Sequence, residues 1–194
     1  MASFKLDLIK GNNPKMREAF DKVYRLLFPK LDDIVVFDDY ENNSLHADMQ
    51  KEGKDVGLLV GPNDFYVDEK IGDDLLSRPG FPVEIKHVYS DGDTKPGWVL
   101  DKNHNPNYFA HGCLKTGFIA VLDANQVKKS YMQRKDTFDK KRISQKENEG
   151  GYTTTAIYVD YMLLDKNVRY FVPVDDDYVE CDSISECNRR LGLV

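Results

Sequence analysis

Several carboxylates and one lysine stand at spacings that suit cation chemistry: Asp55, the triplet Asp68-Glu69-Lys70, and Glu84. Asp55 opens the apolar run 56–60, the triplet follows the run 65–67, and Glu84 lies within a third β-rich run at 83–88. Side chains along a strand alternate faces, so Asp68 and Lys70 share one face while Glu69 turns to the other. If the first two runs pair, Asp55 approaches Asp68 across the pairing. Carboxylates that meet at a strand edge suit Mg²⁺ or Mn²⁺, hard ions that prefer oxygen ligands. Such an ion polarises a phosphoryl oxygen and lowers the pKa of a bound water. Lys70 would then orient that water or stabilise charge developing in the transition state. Glu84 is a candidate further ligand or general base. The plain alternative is a solvated strand face, on which charged residues alternate with apolar ones. Glu84-Ile85-Lys86 is a second acid-x-lysine pair, which a different register would bring into play.

The elements that must position these groups are legible in outline. Gly61-Pro62-Asn63-Asp64 is a turn signal between two apolar runs and predicts a β-hairpin. Upstream, Asn13-Pro14 marks a helix start, and Met16, Phe20, Val23, Tyr24, Leu27 and Phe28 follow at helical spacing. Ile34–Phe37 and Phe118–Leu122 are short apolar runs that predict strands. Asp123 is placed to cap a helix over about 124–147, stopped by Gly150-Gly151. The segments 153–163 and 168–174 predict a second hairpin joined by Asp165-Lys166-Asn167, and a short helix is expected near 183–191. With no repeat and no linker, the expectation is one α+β domain over residues 1–194, a mixed central β-sheet flanked by helices.

Composition sets the outer limits. At 41% hydrophobic and 31% charged residues the chain suits a folded globular protein. No run of apolar residues is long enough for a membrane helix. Charge enters the opening residues too early for a secretory core, and three cysteines form no dense framework, so a cytoplasmic protein is expected. The net charge of −6 argues against simple nonspecific binding to nucleic acid. Its distribution says more. Between Lys128 and Lys146 eight basic residues face only two acidic ones. Lys128, Lys129, Arg134, Lys135, Lys141 and Arg142 are therefore candidates to track a phosphate backbone, against the alternative of a solvated charged helix.

The segment from Ala47 to Trp98 resembles a run found in small phage and bacterial proteins of the PD-(D/E)XK nuclease-like superfamily. The similarity rests on Asp48-x-Gln50-x-x-Gly53-x-Asp55, on apolar residues before Asp68-Glu69-Lys70, on Glu84 in a following strand, and on Pro96-Gly97-Trp98. The tract from Asn107 to Tyr131 also looks like the later aromatic strand and helix of that class, so the resemblance covers about residues 45–132. It implies a restriction-endonuclease-like fold and a phage- or mobile-element-encoded nuclease acting on DNA. It implies Mg²⁺ or Mn²⁺ on Asp55, Asp68 and Glu84, with Lys70, Asp68 and Glu84 as the catalytic groups. Symmetric homodimers are common in the class. The chain departs from the pattern at Val56, where arginine commonly follows the aspartate, and at the break Arg78-Pro79-Gly80. The contrasting expectation is a non-catalytic interaction protein that keeps the fold, for example a phage factor that binds a host protein.

Other signals have plainer readings beside their chemical ones. His104, His111 and Cys113 are zinc-type ligands in no compact motif, and loop or packing roles are expected. Trp98 would stack on a base or fill the core, and packing is favoured. Asp48 and Gln50 would line the Asp55 site, or Asp48 would serve a turn.

Overall fold

A segment that Asn13 caps and Pro14 opens is the first regular element: helix α1, Pro14–Leu27. The Asn13 side chain accepts hydrogen bonds from the amides of Lys15 and Met16, which satisfies two of the otherwise orphaned donors. Met16, Ala19, Phe20, Val23 and Tyr24 form its buried stripe. The computed structural model describes residues 13–39, 41–72, 80–138, 143–148 and 151–194. Within them the other helices are α2 (Ser44–Lys51), α3 (Ala124–Arg134), α4 (Tyr161–Leu164) and α5 (Ile184–Arg190). No described helix is long and apolar enough to cross a membrane.

The strands are β1 (Asp33–Val36), β2 (Val56–Val60), β3 (Asn63–Gly72), β4 (Phe81–Tyr89), β5 (Thr94–Pro96) and β6 (Tyr108–Cys113). They continue with β7 (Ile119–Asp123), β8 (Ile143–Asn148), β9 (Tyr152–Val159), β10 (Arg169–Val174) and β11 (Asp177–Cys181). A seven-stranded sheet runs in the order β1-β2-β3-β6-β7-β10-β11, and a four-stranded sheet in the order β5-β4-β9-β8. Neighbours are antiparallel except β3 and β6, which are parallel, so the large sheet is mixed. It is covered on both faces. On one face α1 packs against Val56, Leu58, Val67, Ala110 and Ile119. On the other, Phe109, Ala120, Leu122 and Tyr170 meet Phe81, Val83, Ile157 and Val159 of the small sheet and Val127 and Tyr131 of α3. The architecture is α+β, a mixed central sheet flanked by helices.

The first expected hairpin forms, with Val60 paired to Asn63 around Gly61, whose φ of +59° favours glycine. The second does not. Strand β9 lies between β4 and β8 in the small sheet, whereas β10 lies between β7 and β11 in the large one. The physical reason sits between them, where Asp160 caps Met162 N at 2.9 Å and starts α4. Tyr161 and Leu164, one helical turn apart, are then buried, while Met162 and Leu163 are exposed.

The basic helix is also shorter than expected. Helix α3 ends at Arg134 and gives way to a 3₁₀ turn over Lys135–Thr137, and residues 143–148 form a strand instead. Thr137 Oγ1 donates to the Arg134 carbonyl at 2.8 Å, competing with helix continuation. Phe138 folds back, buried, with its ring 5.6 Å from Tyr131. Lys141 and Arg142 lie outside the described residues.

Candidate functional site

The register of the first hairpin builds the centre of the site. Val56 pairs with Val67, so Asp55, one residue earlier, stands opposite Asp68 on the same face. The backbone holds it there: Asp55 N donates to the Val67 carbonyl and the Asp55 carbonyl accepts from Phe37 N, both at 2.9 Å. Asp55 Oδ2 accepts the Glu69 amide at 2.8 Å. Asp68 is 1% exposed. Lys70 Nζ lies 2.8 Å from Asp68 Oδ1, an ion pair whose angle is not that of a hydrogen bond. Across the parallel pairing, Asp68 neighbours Phe109 and Lys70 neighbours His111.

Glu69 turns to the opposite face, as alternation requires, and there it is far from idle. Tyr24 donates to Glu69 Oε1 at 2.6 Å, and Arg17 Nη1 lies 2.9 Å from the same oxygen. The carboxylate anchors α1 to the sheet.

Electrostatics separate the two aspartates. The Asp55 carboxyl is held well above the usual carboxylate range, first by desolvation and then by the neighbouring Asp68 charge. Burial works on Asp68 in the same sense, but Lys70 and His104 outweigh it and hold this carboxyl below its ordinary value. Lys70 itself is desolvated, yet Asp68, Glu84 and Asp55 together raise its pKa and keep it charged. Burial, and then the Lys70 charge, push the His111 imidazole down to about 3.

Glu84 belongs to the other sheet. Its carboxylate, about one-third exposed, lies 3.9 Å from His87 Nε2. It is near enough to raise the pKa of Lys70. A bulge follows it: Glu84 pairs with Ala156 but Lys86 pairs with Thr155, one residue along β9. Glu84 and Lys86 therefore project to opposite faces, which splits the competing acid-x-lysine pair. The bulge is pressed by the Pro96-Gly97-Trp98 turn, where Gly97 N donates to the Ile85 carbonyl at 3.0 Å. A side chain at Gly97 would overlap the Glu84 backbone. That close approach seats Trp98 in the core, 4.5 Å from the Phe109 ring and 5.6 Å from Phe81.

One residue takes its place at the site only in the folded chain. His104 comes from the 101–107 loop, is 7% exposed, and places Nε2 at 2.8 Å from Asp68 Oδ2. Its ring stacks on Phe109 and lies against Trp98. Gly53, at φ +70°, leaves the space that the ring occupies. The sequence offers this histidine only as a zinc-type ligand in no compact motif, and it stands in an asparagine-rich loop 36 positions from its Asp68 partner.

The remaining candidates are dispersed. Asp48 lies on α2, exposed and paired with Lys51 at 2.9 Å, and Gln50 donates to the Phe37 carbonyl. His111 bonds with Tyr161 Oη at 3.0 Å. Lys129, Arg134 and Lys135 are exposed on and just after α3. Lys128 is not spread outward with them: its ammonium donates to the carbonyls of His104 and Asp101. Lys128, Lys129, Asp101 and His104 border a cleft of about 520 Å³ between the 99–106 loop and α3. Among the described residues no three His, Cys, Asp or Glu side chains converge into a ready-made metal cage.

No protein-family profile, curated protein or solved structure matches the chain. Its class therefore rests on its own geometry: a mixed α+β sheet carrying two opposed aspartates, a charged lysine and a buried histidine at one recess.

Proposed function

We propose that this chain is a metal-dependent nuclease that hydrolyses phosphodiester bonds in DNA in a phage or mobile-element setting, on a restriction-endonuclease-like fold. The observation that carries this reading is the placement of Asp55 opposite Asp68 and Lys70 on one face of the β2–β3 hairpin. The donor set suits a hard divalent ion. Two carboxylates share a desolvated recess, and at Asp55 the Lys70 charge does not offset the desolvation and the Asp68 charge that hold its carboxyl above the usual range. Mg²⁺ commonly keeps several waters and takes only one or two carboxylates, so Asp55 and Asp68 suffice as protein ligands. Glu84 stands within electrostatic reach as a supporting acid. A bound Mg²⁺ or Mn²⁺ would supply Lewis-acid polarisation of the phosphate and a more acidic water. Lys70, kept charged, is positioned to face an incoming phosphoryl oxygen or the developing negative charge. Lys129, Arg134 and Lys135 offer exposed positive charge on and just after α3, which Lys141 and Arg142 extend in sequence.

A second reading, a non-catalytic interaction protein that retains this sheet and binds a host protein, is favoured by Val56. This residue is buried in the α1-facing core where the resembled nucleases commonly carry arginine. Metal titration separates the two. At about a hundredfold excess over Kd, Mn²⁺ should add about 2.7 kcal/mol of stability, a rise of roughly 5–10 °C for a chain of this size. Asp68→Asn should abolish that rise, and Lys70→Met should abolish cleavage of DNA while keeping it. No Mn²⁺-dependent rise in the wild type overturns the nuclease reading.

A further inference from the structure

We propose that His104 is a positioning residue that holds the Asp68 carboxylate toward Asp55, and that Lys128 on α3 fixes the loop carrying it. The inference rests on the nuclease reading for its purpose, but its geometry stands apart from any metal. Asp68 has two oxygens and two partners. Lys70 takes Oδ1 and His104 Nε2 takes Oδ2, both at 2.8 Å. With Oδ1 ion-paired and Oδ2 hydrogen-bonded, His104 supplies the directional contact that sets the carboxylate's rotation.

The imidazole is itself locked. Phe109 stacks on it with ring centroids 5.8 Å apart, and Trp98 lies at 5.6 Å. The floor is Gly53, whose missing side chain is what allows the ring to sit there. That gives the glycine of the Gly53-x-Asp55 motif a role beyond its backbone angle. It joins the segment that delivers Asp55 to the ring that holds Asp68. The loop is fastened from the other side, where Lys128 donates to the carbonyls of Asp101 and His104.

The same facts favour orientation over proton transfer. His104 Nδ1 is buried and has no hydrogen-bond partner among the described residues. A general base needs a path from its second nitrogen or from the reacting group, and here one nitrogen is spent on Asp68 and the other is enclosed. What remains is orientation, the service that outer hydrogen-bond partners render to metal-binding carboxylates.

The test compares His104→Leu, which fills the space without a donor, with His104→Gln, whose amide nitrogen can reach the Nε2 position. In EDTA, the carboxyl ¹³C resonance of Asp68, assigned with Asp68→Asn, should shift in His104→Leu and return to the wild-type position in His104→Gln. In Mn²⁺ titrations, His104→Leu should weaken binding by about tenfold or more, with most of the affinity kept by His104→Gln. An unchanged Asp68 resonance in a folded His104→Leu protein overturns the proposal, as does a glutamine variant that behaves like leucine. If circular dichroism shows His104→Leu unfolded, Lys128→Met decides: it should displace the same resonance, and an unmoved signal overturns the proposal. Wild type that takes up no Mn²⁺ removes the nuclease reading, while the EDTA spectra still decide whether His104 holds Asp68.

Discussion

Acidification should expose the cost of keeping His111 neutral. The residue sits in the middle of β6, 2% exposed, with Tyr161 Oη 3.0 Å from Nδ1 and the Phe81 ring at 5.3 Å. Its pKa is pushed down to about 3 by burial and then by Lys70. In the unfolded chain the same imidazole titrates near 6.5, so the unfolded state takes up the proton first. The stability linked to this group is fully present above that value and drains away as the pH falls toward the folded-state pKa. About two pH units below the unfolded value, near pH 4.5, the loss reaches roughly 2.7 kcal/mol, a large fraction of the stability of an ordinary domain. Urea unfolding of wild type and His111→Asn at a series of pH values isolates this contribution. Asparagine keeps a partner for Tyr161 but cannot titrate, and the carboxylates contribute equally to both proteins. The two stability curves should therefore converge as the pH falls, by roughly 2–3 kcal/mol between neutrality and about pH 4.5. Parallel curves would show that His111 protonates in place, and would refute the claim that its pocket excludes the charge.

Asp55→Asn should leave the metal-free protein as stable as wild type or more so at neutral pH, because the amide keeps the Glu69 contact and removes the charge crowding Asp68. The folded-state pKa of Asp55 is raised, so the advantage of the variant should shrink as the pH falls and Asp55 protonates; thermal melts in EDTA measure it. Gly53→Ala should cost about 1–2 kcal/mol from the left-handed backbone alone, and more because the new methyl meets the His104 ring. Chemical denaturation gives the loss, and a change under about 0.5 kcal/mol contradicts the wedge. Tyr24→Phe removes a hydrogen bond to the buried Glu69 carboxylate and should destabilise by about 1.5–3 kcal/mol without altering Mn²⁺ uptake.

What could be read from the chain was what neighbouring residues decide together. Asn13-Pro14 opens α1 because cap and first turn are adjacent, and Gly61-Pro62 closes β2 on β3 because a two-strand turn is local. Strand alternation then separated Asp68 and Lys70 from Glu69, correctly in direction but without the partners that make Glu69 an anchor. What escaped depends on contacts distant in sequence. The segment of β9 reads as a hairpin with the next apolar run, yet it pairs with β4 and β8, and the helical spacing of Tyr161 and Leu164 is hidden inside an apolar run. The end of α3 is set by a single hydroxyl and a ring that folds back. His104 reads in the sequence only as a zinc-type residue in a loop, because its role beside Asp68 comes from Gly53, Trp98 and Phe109, none of them next to it in the chain.

The parallel pairing of β3 with β6 has a kinetic consequence. The chain that crosses between them carries β4 and β5, and β4 finds its main partner only in β9, beyond α3. A nascent chain that has already emerged past Asp68 and His104 still lacks the strand that completes the small sheet. Loop closure over such distances slows folding and leaves strand edges open in the meantime. The small sheet, which carries Glu84 and packs against one face of the large sheet, is thus among the last parts of the molecule to close. Protection of the β4 amides against pulse-labelled hydrogen exchange should appear only together with that of β9.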